Sequence, residues 1–450
     1  MSITVKETPV SRPATHTREL VEHLSRLRAE PEWLLQARLA AWERLADLPM
    51  PSGTADEKWR RTDISAIDLN SAPVHTALPA AADYLDALPW ALAERAASST
   101  ELSGLHVEHL GHSVMRFLAP ELAQQGVILT DPSTAAREHP EIARRYLAPI
   151  LPEDNKLEAM SKALFAGGVF LYIPAGVKVE LPIRSAVWTD AEGYIAVPRT
   201  VVVADRGSEV VFVQELLSEA PGAPYVSSTI SDVFVGEGAS VTAVSIQAWS
   251  AGVHSFATHR ALVERDGRFR SFAASFGSTL TKANVEVALR GAGAQSQLYG
   301  LLYGRDSQHF DHCTLQDHIA PHTTSTLLYR TALAGQSRSV YSGLIRVHPQ
   351  AVGTDAYQAN RNLLLSPNAK ADSMPQLEIQ TDDVRCTHGA TIGPVDEEQT
   401  FYLMSRGLPR TEAERLIAQG FFEDVIAALP SADIQRWVRR HLLASMNSQP

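Results

Sequence analysis

The chain has 450 residues, a formal net charge of -11 and 45% hydrophobic residues, enough to bury two or three cores. The acidic balance argues against nucleic acid or an anionic membrane as partner, because binding phosphates requires basic surface that releases counterions. Two cysteines, Cys313 and Cys386, give neither a disulfide framework nor a C-x-x-C metal motif. With no run of about 18 apolar residues, they point to a reducing cytoplasm.

The opening MSITVKETPVSRPATHTREL lacks the apolar segment of a secretory signal and reads as a loose tail over 1–15. Residues 17–47 read as helix. After Pro31, Leu34, Leu35, Arg38, Leu39, Trp42 and Leu45 fall near one face, and Pro49 and Pro51 stop the pattern. YLDALPWALAERAAS and TAAREHPEIARRYLA are further helical pieces, and GVILT is a candidate strand. Residues 1–150 are thus expected to form a mixed, mainly helical N-terminal domain.

Over 151–400 the pattern becomes short Val-, Ile-, Phe- and Tyr-rich runs, each opened by a glycine: GVKVELP at 176, GSEVVFVQE at 207, GASVTAVSIQ at 238, GRFRSFAAS at 267, GAQSQLYG at 293 and GQSRSVYSG at 335. The spacings are 31, 31, 29, 26 and 42. A repeat of short strands without intervening helices fits a parallel β-helix, with an antiparallel sandwich or barrel as competitor. The crossover preference makes a right-handed coil the expectation.

The helical period returns over 401–450. Thr411 and Glu414 have capping-box spacing, and Ala413, Leu416, Ile417, Phe421, Val425 and Ala428 form a stripe ended by Pro430. Ser431 is placed to cap a second helix bearing Ile434, Trp437, Val438 and Leu442. Such a pair either caps the solenoid or docks a partner.

No P-loop, G-x-S-x-G elbow, H-E-x-x-H helix or acidic calcium loop is present, so ATP binding on this chain is not expected. The segment QHFDHCTLQDHIAPHTTS gathers His309, His312, Cys313, His318 and His322. As a strand it sends His309, Asp311 and Cys313 to one face and His312 and His318 to the other. Six strand residues span roughly 20 Å, so these side chains do not share one ion. A structural, hydrogen-bonding role is weighed there against ligation. Cys386 and His388 leave one face of a strand with α-carbons roughly 6 to 7 Å apart. Packing, metal ligation and a thiolate activated by imidazole are all open for them. Two cysteines fall short of the four mostly thiolate ligands of an iron-sulfur cluster, so any cluster touching them takes ligands from another chain.

The stretch RCTHGATIGPVDEEQTFYLMSRGLPRTEAERLIAQGFFEDVIAALP, with GLIRVHPQAVGTDAYQANRNLLLSPNAKADSMPQLEI upstream, resembles the SufB/SufD family of iron-sulfur cluster assembly proteins. The likeness runs from about 160 to 430, with weaker support in PEWLLQARLAAWERL and EKWRRTDI. Within that family, Ala369 is read at the place of the SufB cysteine and Gly389 follows the histidine, which favours the SufD branch.

The resemblance implies a mainly β protein, a right-handed parallel β-helix flanked by N- and C-terminal helical domains. It implies pairing with SufB through the β-helix ends and docking of the ATPase SufC on the C-terminal helices. His388 would face the SufB cysteine as a metal ligand, with Cys386 as second binding candidate, and a transient iron-sulfur cluster or iron would be shared with SufB. A flavin is compatible with the resemblance but not readable from the residues. The chain is then expected to be a scaffold and not an enzyme. A β-helix carbohydrate hydrolase or lyase, and a homodimeric scaffold, are the competing readings.

Overall fold

The computed structural model describes residues 16–54, 56–69, 72–76, 102–148, 155–189, 193–218 and 225–447. The tail expected over 1–15 and the helix expected from YLDALPWALAERAAS lie outside these residues.

Two helices, Arg18–Leu27 and Glu32–Asp47, occupy the segment read as one helix. They part where Ala29 takes a left-handed φ of 49° and Pro31 starts the second helix in an extended conformation. Val21, Leu24 and Leu39 pack with Leu157 and Leu164 of the helix Lys156–Leu164. Arg38, an odd member of the apolar stripe, is 1% exposed. Its Nε and Nη2 donate to the two oxygens of Glu30 at 2.7 Å, and Nη1 donates to the Ala163 carbonyl at 3.0 Å. A buried charge paired in this way joins the helices to the body of the protein.

From Gly104 to Pro394 the strands alternate between two sheets, each strand pairing in parallel with the one a coil away. One sheet runs Gly104–His109, Ile183–Thr189, Glu209–Ser218, Ser240–Ala248, Arg268–Ser275, Gln295–Gly304, Thr324–Leu333, Thr354–Leu364 and Val384–Pro394. The other runs Gly168–Ile173, Arg199–Ala204, Tyr225–Val235, Val253–Val263, Leu280–Leu289, His309–His318, Arg338–Val347 and Lys370–Ile379. This is a parallel β-solenoid of about seven turns. Its first strands are covered by antiparallel neighbours, His112–Leu118 on Gly104–His109 and Ile128–Thr130 on Gly168–Ile173. At the other end, among the described residues, nothing pairs with the outer edges of Lys370–Ile379 and Val384–Pro394.

The corners explain the uneven repeat. Gly207, Gly238, Gly293 and Gly335 have φ between 64° and 73°, a region open to glycine at no steric cost. Asp266, Asp306 and His322 fill equivalent corners with φ of 55°, 53° and 56°. The jump from 293 to 335 therefore contains two corners without glycine.

Coil-to-coil pairing is in register throughout the later turns, so lumen side chains stack in columns. Early coils fill the lumen with residues such as Leu171, Val202, Phe212, Val241 and Val263. The helices Glu397–Ser405, Arg410–Ala427 and Ala432–Asn447 follow the last coil. Phe422, Val425 and Val438 pack on the flank of one sheet against Val244, Phe272 and Leu301, so the buried helices lie beside the solenoid and its last coil stays uncovered. The capping box does not form: Pro409 is the N-cap without a side-chain bond, and Glu414 takes the Arg410 Nε at 2.8 Å. The buried face turns toward Ala418, Phe422 and Ile426, leaving Leu416 exposed. Ser431 does cap its helix, its Oγ accepting from the Ile434 amide at 3.3 Å. No helix among the described residues is long and apolar enough to cross a membrane.

Candidate functional site at the open end of the solenoid

Val384–Pro394 pairs in register with Thr354–Leu364, placing Cys386 over Ala356 and His388 over Gln358. Val384 and Cys386 pack against Ile345, Val347, Ala351 and Ala356. Strand alternation then sends His388 and Ile392 into the lumen as well. With no coil above them, His388 is exposed. Leu377, Ile379 and Ile392, all on lumen-facing positions, are 38%, 41% and 46% exposed. The end of the solenoid is thus an interior face without its next layer.

The facing wall begins at Ala369, 8% exposed at the corner, its amide bonded to the Ser366 carbonyl at 3.1 Å. Ala371 and Ser373 stack over Ser339 and Tyr341, and Ser373 Oγ crosses the lumen to Asn360 Oδ1 at 2.7 Å. This wall carries no thiol.

Beside the apolar corner at Ile345 and Val347, the lumen beneath the open coil is polar around Gln358 and Asn360. Gln358 Nε2 donates to the Gly343 carbonyl at 3.3 Å, and Asn362 Nδ2 to Asn360 Oδ1 at 2.7 Å. Gln316 Nε2 donates to Ser325 Oγ at 2.6 Å, and Thr314 and Tyr341 share a hydroxyl contact at 2.9 Å. Glycine is required at 343, because a Cβ there would collide with Gln358 Nε2 and Tyr341 Oη. Three buried atoms, Gln316 Oε1, Gln358 Oε1 and Asn360 Nδ2, have no hydrogen-bond partner. Gln358 and Asn360 were not marked by the sequence reading. The signal was their place one repeat ahead of His388 and Ala390.

The histidine-rich strand divides as its alternation requires. On the outer face, Thr62 Oγ1 meets His309 Nε2 at 3.0 Å and also donates to Asp311 Oδ2. Lys282 Nζ lies 2.9 Å from Asp311 Oδ1 and 3.2 Å from Cys313 Sγ. Inside the lumen, His318 is held by Thr323 and Ser325 at 2.7 and 2.8 Å. Burial drives His312 down to about 3 and His318 to about 4, with Lys282 and His259 adding to the first. Both lowered values favour the neutral imidazole inside the solenoid. His322 occupies a corner against Gly353. Among the described residues no three His, Cys, Asp or Glu side chains converge to hold a metal ion.

Burial also raises the Cys313 and Cys386 thiols, and Asp355 reinforces the second shift. A shift in that direction disfavours the thiolate that nucleophilic attack requires. The arrangement at the open end therefore offers one exposed imidazole, one half-buried thiol and an incomplete ligand set.

The model of the SUF system FeS cluster assembly SufBD core domain matches residues 187–421, and that of the SufBD protein N-terminal region matches residues 112–185. The chain belongs to the SufBD family. It is similar to the iron-sulfur cluster assembly protein SufB of Bacillus subtilis, 27% identical over 423 residues covering 92% of this chain and 90% of that one. An iron-sulfur cluster assembly SufBD family protein of Staphylococcus haemolyticus is 28% identical over 416 residues, with 92% and 90% covered. One from Staphylococcus aureus is 27% identical over the same length and coverage. As a SufBD protein the chain is a component of iron-sulfur cluster assembly, and the core match contains the whole open end.

Proposed function

We propose that the chain is a SufD-type scaffold subunit that pairs end to end with a SufB-type subunit and offers His388 to the iron of a nascent cluster. The observation that carries this reading is the open last coil, whose lumen-facing His388, Leu377, Ile379 and Ile392 are exposed although they occupy interior positions. A second solenoid end supplies the missing layer and pairs the free edges.

The division of ligands follows from the donors. Ala369, Ala371 and Ser373 leave the facing wall without a thiolate, Cys313 is 9% exposed beside Lys282, and the Cys386 thiol is raised. Soft thiolate then comes from the partner, while this chain adds a neutral imidazole that accepts iron without further negative charge. The cluster is cargo, assembled at the interface and passed on. A second copy of the chain would bring the same open end, but it would double the imidazoles and leave Cys386 as the thiol.

The chain itself hydrolyses nothing in this reading. The helices Arg410–Ala427 and Ala432–Asn447 dock a SufC-type ATPase whose closing shifts the interface, in the cytoplasm. Anaerobic co-expression with SufB-type and SufC-type subunits tests the proposal by comparing wild type with His388→Ala. An intact complex by size exclusion with collapsed iron and sulfide content supports it; an intact complex with unchanged content removes His388 from the chemistry.

A further inference from the structure

We infer that Gln358 is the positioning residue for His388: its buried Oε1 accepts the imidazole N–H and so fixes which ring nitrogen faces out of the open end. The inference rests on the reading of His388 as a ligand for its purpose, and on geometry for its existence.

Gln358 is 0% exposed. Its Nε2 is committed to the Gly343 carbonyl at 3.3 Å, while Oε1 has no partner. A buried acceptor left in that condition is unfavourable, so a nearby donor is drawn to it. Two residues stack directly on Gln358 in its column, Leu327 below and His388 above. Leucine has no donor. The imidazole does, and adjacent strands lie about 4.8 Å apart with both side chains in the lumen. Asn360, the next lumen residue on the same strand, has its oxygen engaged by Asn362 and Ser373 at 2.7 Å each, so it offers His388 no acceptor. Its unpartnered Nδ2 stands two residues along the strand, roughly 7 Å from Gln358 at the backbone, farther than the imidazole directly above it.

His388 is exposed, and its ring turns about two side-chain bonds to meet the waiting oxygen. A ligating histidine characteristically donates its other N–H to a carbonyl or carboxylate, which sets tautomer and ring orientation. An amide oxygen does this without adding a second negative charge to a site that receives thiolate from its partner.

The test uses the full chain with ¹⁵N-labelled histidine, the His388 signals being assigned by their loss in His388→Ala. At pH 8 the two ring nitrogens of wild-type His388 are expected to be widely split, as for a single tautomer, with a slowly exchanging ring N–H. Gln358→Met, which keeps the side-chain length but removes the acceptor, should narrow the splitting toward that of free histidine and abolish the slow N–H. Gln358→Glu should restore both. Averaged tautomers and no protected N–H in the wild type would overturn the inference without requiring any variant to fold. So would an unchanged spectrum in a folded Gln358→Met. None of these readouts involves iron, so normal cluster content in His388→Ala would defeat the ligand reading and leave the Gln358 contact standing.

Discussion

Ile392→Asp should abolish end-to-end pairing while leaving the isolated chain folded. Ile392 lies over Asn362 in the lumen row of the last strand and is 46% exposed. Burying a whole isoleucine side chain contributes about 1.5–3 kcal/mol, so covering the exposed half of this one is worth about 1 kcal/mol. The substitution also asks the interface to desolvate a carboxylate, at an effective cost of several kcal/mol. The two effects together exceed about 4 kcal/mol, or roughly a thousandfold in affinity. The isolated chain loses only the packing of the half already buried, about 1 kcal/mol. Calorimetric titration of the SufB-type subunit with each variant measures the first quantity and urea unfolding the second. Leu181→Asp, at a residue 43% exposed far back in the first coils, is the control and should bind normally. Affinity within threefold of wild type for Ile392→Asp would refute the pairing geometry, whatever the cluster content.

Two further expectations concern groups that hold the solenoid together. Glu108 is 2% exposed, and burial raises its carboxyl to about 7, against the opposing effects of the Gly168 amide and Arg28. The folded chain thus keeps a proton that the unfolded chain loses above about 4.5. This contribution is fully present below that value and declines as pH rises to about 7, by about 3 kcal/mol in all. Glu108→Gln should flatten that decline in urea titrations from pH 4.5 to 8.5, and parallel curves would count against the assignment. Lys282→Met strands the carboxylate of Asp311, 1% exposed, and should destabilise by about 3–5 kcal/mol. Adding Asp311→Leu should recover most of the loss, and an additive penalty would show that the two residues are not coupled.

Much of the solenoid was legible because its corners demand special backbone geometry. Gly207, Gly238, Gly267 and Gly293 announce their coils, although at the third it is Asp266 that takes the left-handed turn, while Asp306 and His322 adopt the same turn unannounced. Strand alternation likewise separates His312 from Asp311 in the sequence alone. What it could not supply were partners from distant segments, Thr62 and Lys282 on one side and Ser325 on the other. The single helix read over 17–47 and the capping box at Thr411 failed for local reasons. Ala29 and Pro31 redirect the chain in the first case, and Pro409 takes the N-cap position ahead of Thr411 in the second. His388 stands out beside Cys386 in the sequence itself and its ligand role follows from the resemblance, but the meaning of its position comes from register, because Gln358 and the uncovered Ile392 gain significance only when coils are stacked.

The change of lumen from apolar to polar along the axis has a thermodynamic consequence. In a solenoid each coil is stabilised mainly by its neighbours, so the chain behaves as a one-dimensional array whose ends melt first. Here the two ends are unequal: antiparallel strands clamp the first coils, whereas the final one has a single neighbour and a floor that is apolar at Ile345 and Val347 but amides and hydroxyls around Gln358 and Asn360. Fraying is therefore expected first at the terminus that carries His388, and in the proposed pairing the partner would act as the next repeat of the array. In the proposed pairing, order at this end would be conditional on assembly: a lone subunit would present a loosened edge and the paired one a finished wall.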